Sequence, residues 1–162
     1  MPVLIHITPL IVFVWSHIAL KATFVTTTWD ETVVSGEDTP TQIKRVRTER
    51  KFSGAMEGLG IMEYVMCYHP YSKCPAGQLA GKPTFTWQGI CHFRGTIDGS
   101  PPGEVILLTT NGSFVETAEA QWTIDEKTGS GGLKGLKGRG GYNHAVDVCL
   151  TGATDMWLEY TL

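Results

Sequence analysis

The chain has 162 residues, 42% of them hydrophobic and 18% charged, with a formal net charge of −3. This length suits a single domain with one core, and this balance of residue types excludes a disordered chain. It also argues against a nucleic-acid binder, which needs a surplus of clustered Lys and Arg.

Residues 2–20 are mostly apolar, and Leu10 to Leu20 read LIVFVWSHIAL. No Lys or Arg precedes Lys21, so the basic start of a secretory signal is missing. His6, Pro9, Ser16 and His17 interrupt what would otherwise be the roughly 20 clean apolar residues of a spanning helix. We therefore expect residues 1–21 to form an apolar extension, an extra strand or packed arm, ahead of a β-barrel domain over 22–162. A targeting role for the extension stays open. Without one, the protein is expected in the cytoplasm; with one, it is secreted or membrane-anchored.

Beyond Lys21, short runs rich in Thr, Val, Ile and aromatics are punctuated by Gly, Pro, Asp and Asn, and no helical stripe exceeds two turns. Strands are predicted near 22–30, 42–54, 59–69, 84–95, 104–114, 118–125, 137–146 and 156–162. The basic cluster of Lys44, Arg45, Arg47, Arg50 and Lys51 also contains Glu49 and reads as the polar side of the second strand. The Pro/Gly-rich connection at 70–83 is a natural rim or lid. Four cysteines are too few for a disulfide scaffold and form no CxxC pair, so reduced, mostly buried thiols are expected. A Cys67–Cys74 bridge is the competing arrangement and needs an oxidising compartment. Asn111-Gly112 is a hairpin signal or a bulge, and with Ser113 it forms a nominal glycosylation sequon. Gly129 to Gly141 reads GSGGLKGLKGRGG, a structural bend that lacks the spacing of a phosphate loop. The fold expected is all-β: a single antiparallel closed barrel of about eight strands.

Ordered landmarks support this. They are Phe24 with Trp29-Asp30-Glu31, Lys51-Phe52-Ser53-Gly54 leading to Glu57-Gly58 and Gly60, and Glu63-Tyr64 with Met66 and Tyr68. Gly95 to Gly99, Gly112-Ser113-Phe114, Trp122-Thr123, Gly131 through Leu136 and Leu158-Glu159-Tyr160 complete the series. From Thr23 onward the chain resembles the domain-of-unknown-function 3224 family, whose members are barrels similar in shape to calycins and allene oxide cyclase. The resemblance implies that a strand ends at Phe114, which places the turn at Val115 to Thr117 and makes Asn111-Gly112 a bulge. Two departures stand out: Cys91-His92 occupies the place of a Glu-Arg pair, and Thr109-Thr110 lies near the place of a Gln-His pair. The first 20 residues and the cysteine-bearing loop lie outside the resemblance.

Side chains alternate between the faces of a strand, so residue parity sorts inside from outside. In the fourth strand Phe85, Trp87, Cys91 and Phe93 form the natural interior, which leaves His92 and Arg94 outside. In the third, Leu59, Ile61, Glu63, Val65 and Cys67 share one face and Met62, Tyr64, Met66 and Tyr68 the other. Both are apolar, so both are expected to be covered, one of them by an arm or partner subunit. Glu63 would then be a buried carboxylate in need of a cation. Arg50, which shares a face with Val46 and Phe52, is the expected partner. The Glu63–Arg50 pair is the candidate catalytic or structural ion pair. Tyr64, Tyr68, Trp87, Phe93, Trp122 and Trp29 are candidate pocket aromatics, and Glu57 is a candidate rim carboxylate.

The function expected is binding of a small apolar molecule in the barrel interior. One alternative is a cofactor-free cyclase or isomerase acting on a hydrophobic or polyketide-like substrate, which the allene-oxide-cyclase likeness implies. A second is a non-catalytic homo-oligomeric interaction module. No cofactor, metal or nucleic acid is expected as a partner.

Overall fold

The computed structural model describes residues 18–76, 80–145 and 152–162. Residues 1–17 and Cys149 lie outside that description. Among the described residues eight strands follow one another: β1 (Ile18–Ser35), β2 (Ile43–Gly54), β3 (Met56–Lys73), β4 (Pro83–Ile97), β5 (Gly103–Phe114), β6 (Thr117–Gly131), β7 (Lys137–Ala145) and β8 (Thr154–Thr161). Each pairs antiparallel with the next, and β8 returns to β1 through Ile18↔Tyr160 to Phe24↔Thr154, closing the barrel. The first strand already includes Ile18 to Lys21, so the end of the expected extension is part of the barrel.

Alternation along the strands supplies the core. In β2, Val46, Thr48, Arg50 and Phe52 are buried while Arg45, Arg47, Glu49 and Lys51 are exposed, so the basic cluster divides by parity. In β1 the parity changes midway. Leu20, Ala22 and Phe24 face inward, but a bulge between Thr26 and Thr28 passes the inner face to Trp29, Glu31 and Val33. The Thr27 hydroxyl donates to the Glu49 carbonyl and the Glu49 N–H donates to the Thr28 hydroxyl, bridging the interrupted ladder.

The two ends of the barrel differ. One is plugged by Met56, Ile97, Leu133 and Leu136, none more than 2% exposed. The glycine-rich bend makes this plug: β6 runs to Gly131, and the tight turn that follows carries Leu133 and Leu136 under the barrel floor. Asp98 and Gly99, both at positive φ (51° and 75°), turn the chain beyond β4 at the same end. The opposite end is ringed by Trp29, Lys44, Tyr68, Phe85 and Phe114, several of them partly exposed. The turn at this end falls at Val115-Glu116, after Phe114 as expected, and register shifts flank Asn111-Gly112. β3 and β4 extend past the rim to Lys73 and Pro83, shortening the connection expected at 70–83.

Leu136→Ala is expected to lower the unfolding free energy by about 2–5 kcal/mol, the cost of a cavity in a closely packed site. Chemical denaturation measures it, and a loss below about 1 kcal/mol would mean that this end collapses freely around the gap.

Candidate functional site

Among the described residues, the middle of the barrel holds one buried cation. Arg50 is 6% exposed, with its guanidinium carbon 4.1 Å from the ring centroid of Phe24, 5.2 Å from that of Tyr142 and 5.7 Å from that of Tyr64. Its Nη2 donates to the Tyr142 hydroxyl at 3.3 Å, while its Nε finds no partner. Burial opposes the charge, but the surrounding Tyr64 and Tyr142 hydroxyls and the Cys91 thiol more than offset it, and the guanidinium stays protonated. The same burial pushes the Cys91 thiol up to about 12 and the Tyr64 hydroxyl well above its ordinary value. Tyr64 donates instead to the Met62 sulfur at 2.9 Å. Two further inward polar atoms, Thr48 Oγ1 and Trp122 Nε1, are buried without partners.

Above this layer, at the open end, an aromatic wall climbs β3, β4 and β5. Ring centroids lie 6.5 Å apart for Tyr64–Trp87, 5.7 Å for Phe85–Trp87, 5.2 Å for Tyr68–Phe85 and 4.8 Å for the stacked Phe85–Phe114 pair. Trp87 lies against the barrel wall where a side chain at position 112 would stand, and Trp122 does the same at position 140. Glycine at both positions lets the indoles lie along the wall instead of across the lumen. Glu31 crowns the rim. It accepts from Lys44, from Trp29 Nε1 at 3.1 Å and from the Tyr68 hydroxyl at 3.3 Å, with Lys44 4.5 Å above the Tyr68 ring. Partial burial works against its charge, but these bonds and the Lys44 ammonium hold its carboxyl below the ordinary carboxylate value. Burial and the Glu31 charge push Tyr68 up to about 12.

The structure corrects the expected Glu63–Arg50 pair. Arg50 faces inward, but Glu63 lies outside the barrel, with Arg47 directly opposite on β2. Glu63 takes Arg47 Nη1 at 2.7 Å and Arg45 Nε at 3.0 Å, and these bonds hold its carboxyl below the usual range. The inner face of β3 is the even-numbered one because Gly60 belongs to it, and the Phe52 ring and Cys91 thiol fill the space that a side chain there would need. On the other β3 face, Leu59 and Val65 are 60% and 57% exposed within the single chain. Glu57 is exposed at the plugged end, remote from the open rim. Trp29 does border the open end, but at 55% exposure it is a rim residue and not an interior liner. Phe93 is fully buried edge-on to Phe52, opposite Gly60, and serves as core packing.

Tyr64, Trp87 and Trp122 are buried on the inner wall, and Tyr68 is half-buried at its top. Parity alone did not single out Lys44, Thr48 and Phe114 as neighbours of the site. The inward register of Arg50 was the available signal for Thr48 and Lys44, and the end of β5 was the signal for Phe114. Of the two departures from the family pattern, Cys91 and Thr109 face inward while His92 and Thr110 face outward, with His92 bonded to Glu104 at 3.0 Å. Cys67, Cys74 and Cys91 are free thiols. An open groove of about 530 Å³ lies on the outer face of β3–β5, bordered by Val65, Cys67, Thr86, Gln88, Asn111 and Glu119. It does not reach Arg50.

Two outcomes follow from this placement. Glu63→Gln removes an exposed ion pair and is expected to cost no more than about 1 kcal/mol in thermal or chemical unfolding. A loss above about 3 kcal/mol would return the carboxylate to a buried role. Glu31 has a folded-state pKa below its unfolded value of 4.5. Its contribution is therefore complete above pH 4.5 and lost as the pH falls through the lowered folded value. Melting curves across that range should show a shallower acid decline for Glu31→Gln than for the native chain; parallel declines would remove Glu31 from the linkage.

Residues 20–160 match the family described as protein of unknown function (DUF3224). The chain also superposes on the crystal structure of a DUF3224-family protein of unknown function from Shewanella oneidensis MR-1. That match has 13% identity and a TM-score of 0.67, and it covers 91% of this chain and 98% of the other. No curated protein matches the chain. The likeness in structure shows a shared fold, and the matched span takes in nearly the whole barrel: the chain belongs to the DUF3224 family of proteins of unknown function.

Proposed function

We propose that this protein is a binding barrel that takes a small apolar molecule through its open end, against the wall of Tyr68, Phe85, Trp87 and Phe114. The observation that carries this reading is the asymmetry of the barrel. One end is sealed by aliphatic side chains, while the other carries, among the described residues, a continuous aromatic wall that is partly exposed at Tyr68 and Phe85. An eight-stranded barrel is wide enough to be filled by its own side chains or to hold one small ligand. Apolar walls with a few placed polar groups are the usual lining of such sites.

The cyclase or isomerase reading has less support. Its expected carboxylate is on the outer surface. The inward groups with displaced pKa values all move away from neutrality: Cys91, Tyr64 and Tyr68 rise and Glu31 falls. General acid–base work at ordinary pH calls for the opposite displacement. The oligomeric reading draws on one observation, the exposed Leu59, Val65 and Ile90 on the outer face of β3 and β4.

Titration with Nile red, a neutral solvatochromic dye, tests the binding reading. Saturable blue-shifted emission is expected, with affinity falling about tenfold in Phe85→Ser and unchanged in Val65→Ser. Absent binding, or binding lost only in Val65→Ser, would defeat the interior site.

A further inference from the structure

Arg50 is a charged group in an apolar layer with no carboxylate bonded to it among the described residues. The inward-facing carboxylate of the neighbouring strand, Glu31, is already held at the rim by Lys44, Trp29 and Tyr68. The rings of Phe24, Tyr64 and Tyr142 attract the guanidinium through their π faces, but they do not receive the proton of Nε. A buried cation that keeps its charge in such surroundings calls for a counter-charge and for acceptors at its unused donors.

The other orphaned atoms share the same interior. Thr48 is two residues from Arg50 on the same strand face, roughly 7 Å along β2, and is 0% exposed. Trp122, 3% exposed, packs against Tyr142 at 5.7 Å between centroids, and Tyr142 in turn bonds Arg50. Three unpaired donors, Arg50 Nε–H, the Thr48 hydroxyl and the Trp122 indole N–H, therefore lie buried in the same interior as this positive charge, with the Trp122 N–H seated against the wall at Gly140. A carboxylate complements this set: it carries one negative charge and two oxygens with four lone-pair sites. A dianion would leave a net charge buried among aromatic rings.

We propose that Arg50, Thr48 and Trp122 form an anion anchor, and that the molecule the barrel holds is an amphiphilic monocarboxylate. Its acid head lies at Arg50 and its apolar tail follows the aromatic wall to the open end. This rests on the binding reading above and adds the chemical class of the ligand. The inner face of β2 runs from Arg50 through Thr48 and Val46, both fully buried, to Lys44 at the rim, roughly 20 Å of strand, so the tail must part the packed side chains above Arg50 to lie along it.

The probes are decanoate, 1-decanol and decylammonium, each competing against Nile red. Decanoate should displace the dye at least about tenfold more effectively than decanol, the usual scale of a hydrogen-bonded charge, and decylammonium least of all. Arg50→Met should abolish the preference for the acid while retaining dye and decanol binding. Thr48→Val and Trp122→Phe, which keep the cation, should each reduce it, and they decide the matter if Arg50→Met does not fold. Equal binding of acid and alcohol would mean that water satisfies the orphaned donors, and would overturn the anchor while the binding reading stands. A preference that survives Arg50→Met but is lost in Lys44→Met would move the anion to the rim, also overturning it. Failure of Nile red and all three probes to bind would defeat the binding reading, and the anchor with it.

Discussion

The pairing of β1 with β8, from Ile18↔Tyr160 to Phe24↔Thr154, makes a ring of what would otherwise be an open sheet. Once the ring closes, every inward side chain competes for one lumen of fixed girth, and every outward one meets solvent. Large residues then have to be matched by small ones across neighbouring strands. Phe52 and Cys91 occupy the space over Gly60, Trp87 lies over Gly112, and Trp122 lies over Gly140. These glycines are close-approach positions that set where each aromatic ring can go, and through the rings they set the shape of the interior. A side chain added at any of the three would have to displace a buried ring.

Within that ring the packing is uneven along the axis. Aliphatic groups seal the floor, aromatic groups line the upper wall, and the layer between them carries a guanidinium. Replacing a buried ionic group with an apolar one of similar size is often neutral or stabilising. A barrel that needed only to fold could therefore have done so with a methionine at position 50. The surroundings of Arg50 soften the desolvation cost through three ring faces and one hydroxyl without removing the charge. Cys91, the inward neighbour that could have carried a carboxylate, is a thiol kept neutral by its burial. A carboxylate at that position would supply the counter-charge from the wall itself and close the layer.

Much of this was legible in the sequence. Runs of Val, Thr and aromatics between turn residues located the eight strands, and the aromatic parity of Phe85, Trp87 and Phe93 identified the inner face of β4. The inward register of Arg50 followed from Val46 and Phe52 in the same way. The face of Glu63 did not, for a physical reason. Glycines at 58 and 60 remove side chains from the even-numbered set of β3, so the outer Leu59 and Ile61 make its other face equally apolar. Only pairing with β2, which sets Glu63 opposite Arg47 and Arg50 opposite Gly60, separates the two charges. The β1 bulge was hidden for a related reason. Thr26, Thr27 and Thr28 are one residue type repeated, so nothing in the run marks which threonine is the extra one. Trp29, Glu31 and Val33 face inward because of that insertion, and the rim network depends on them.

The two misplaced carboxylates, Glu63 and Glu57, show how closure divides polar groups between structure and chemistry. On the outer face a carboxylate finds arginines on the next strand and stays hydrated, so its ion pair adds little beyond register. Inside, the same pairing would neutralise the site and leave nothing for a ligand to answer. On the proposed reading, Arg50 is left to recognise an anion because the described acidic residues lie elsewhere: Glu63 among surface arginines, Glu31 under Lys44 at the rim, and Asp98 against Tyr160 at the plugged end. That distribution confines the unanswered charge of the described interior to a single layer, reached along a wall that favours apolar matter. On the proposed reading, the ligand that satisfies both is amphiphilic, with its charged end innermost.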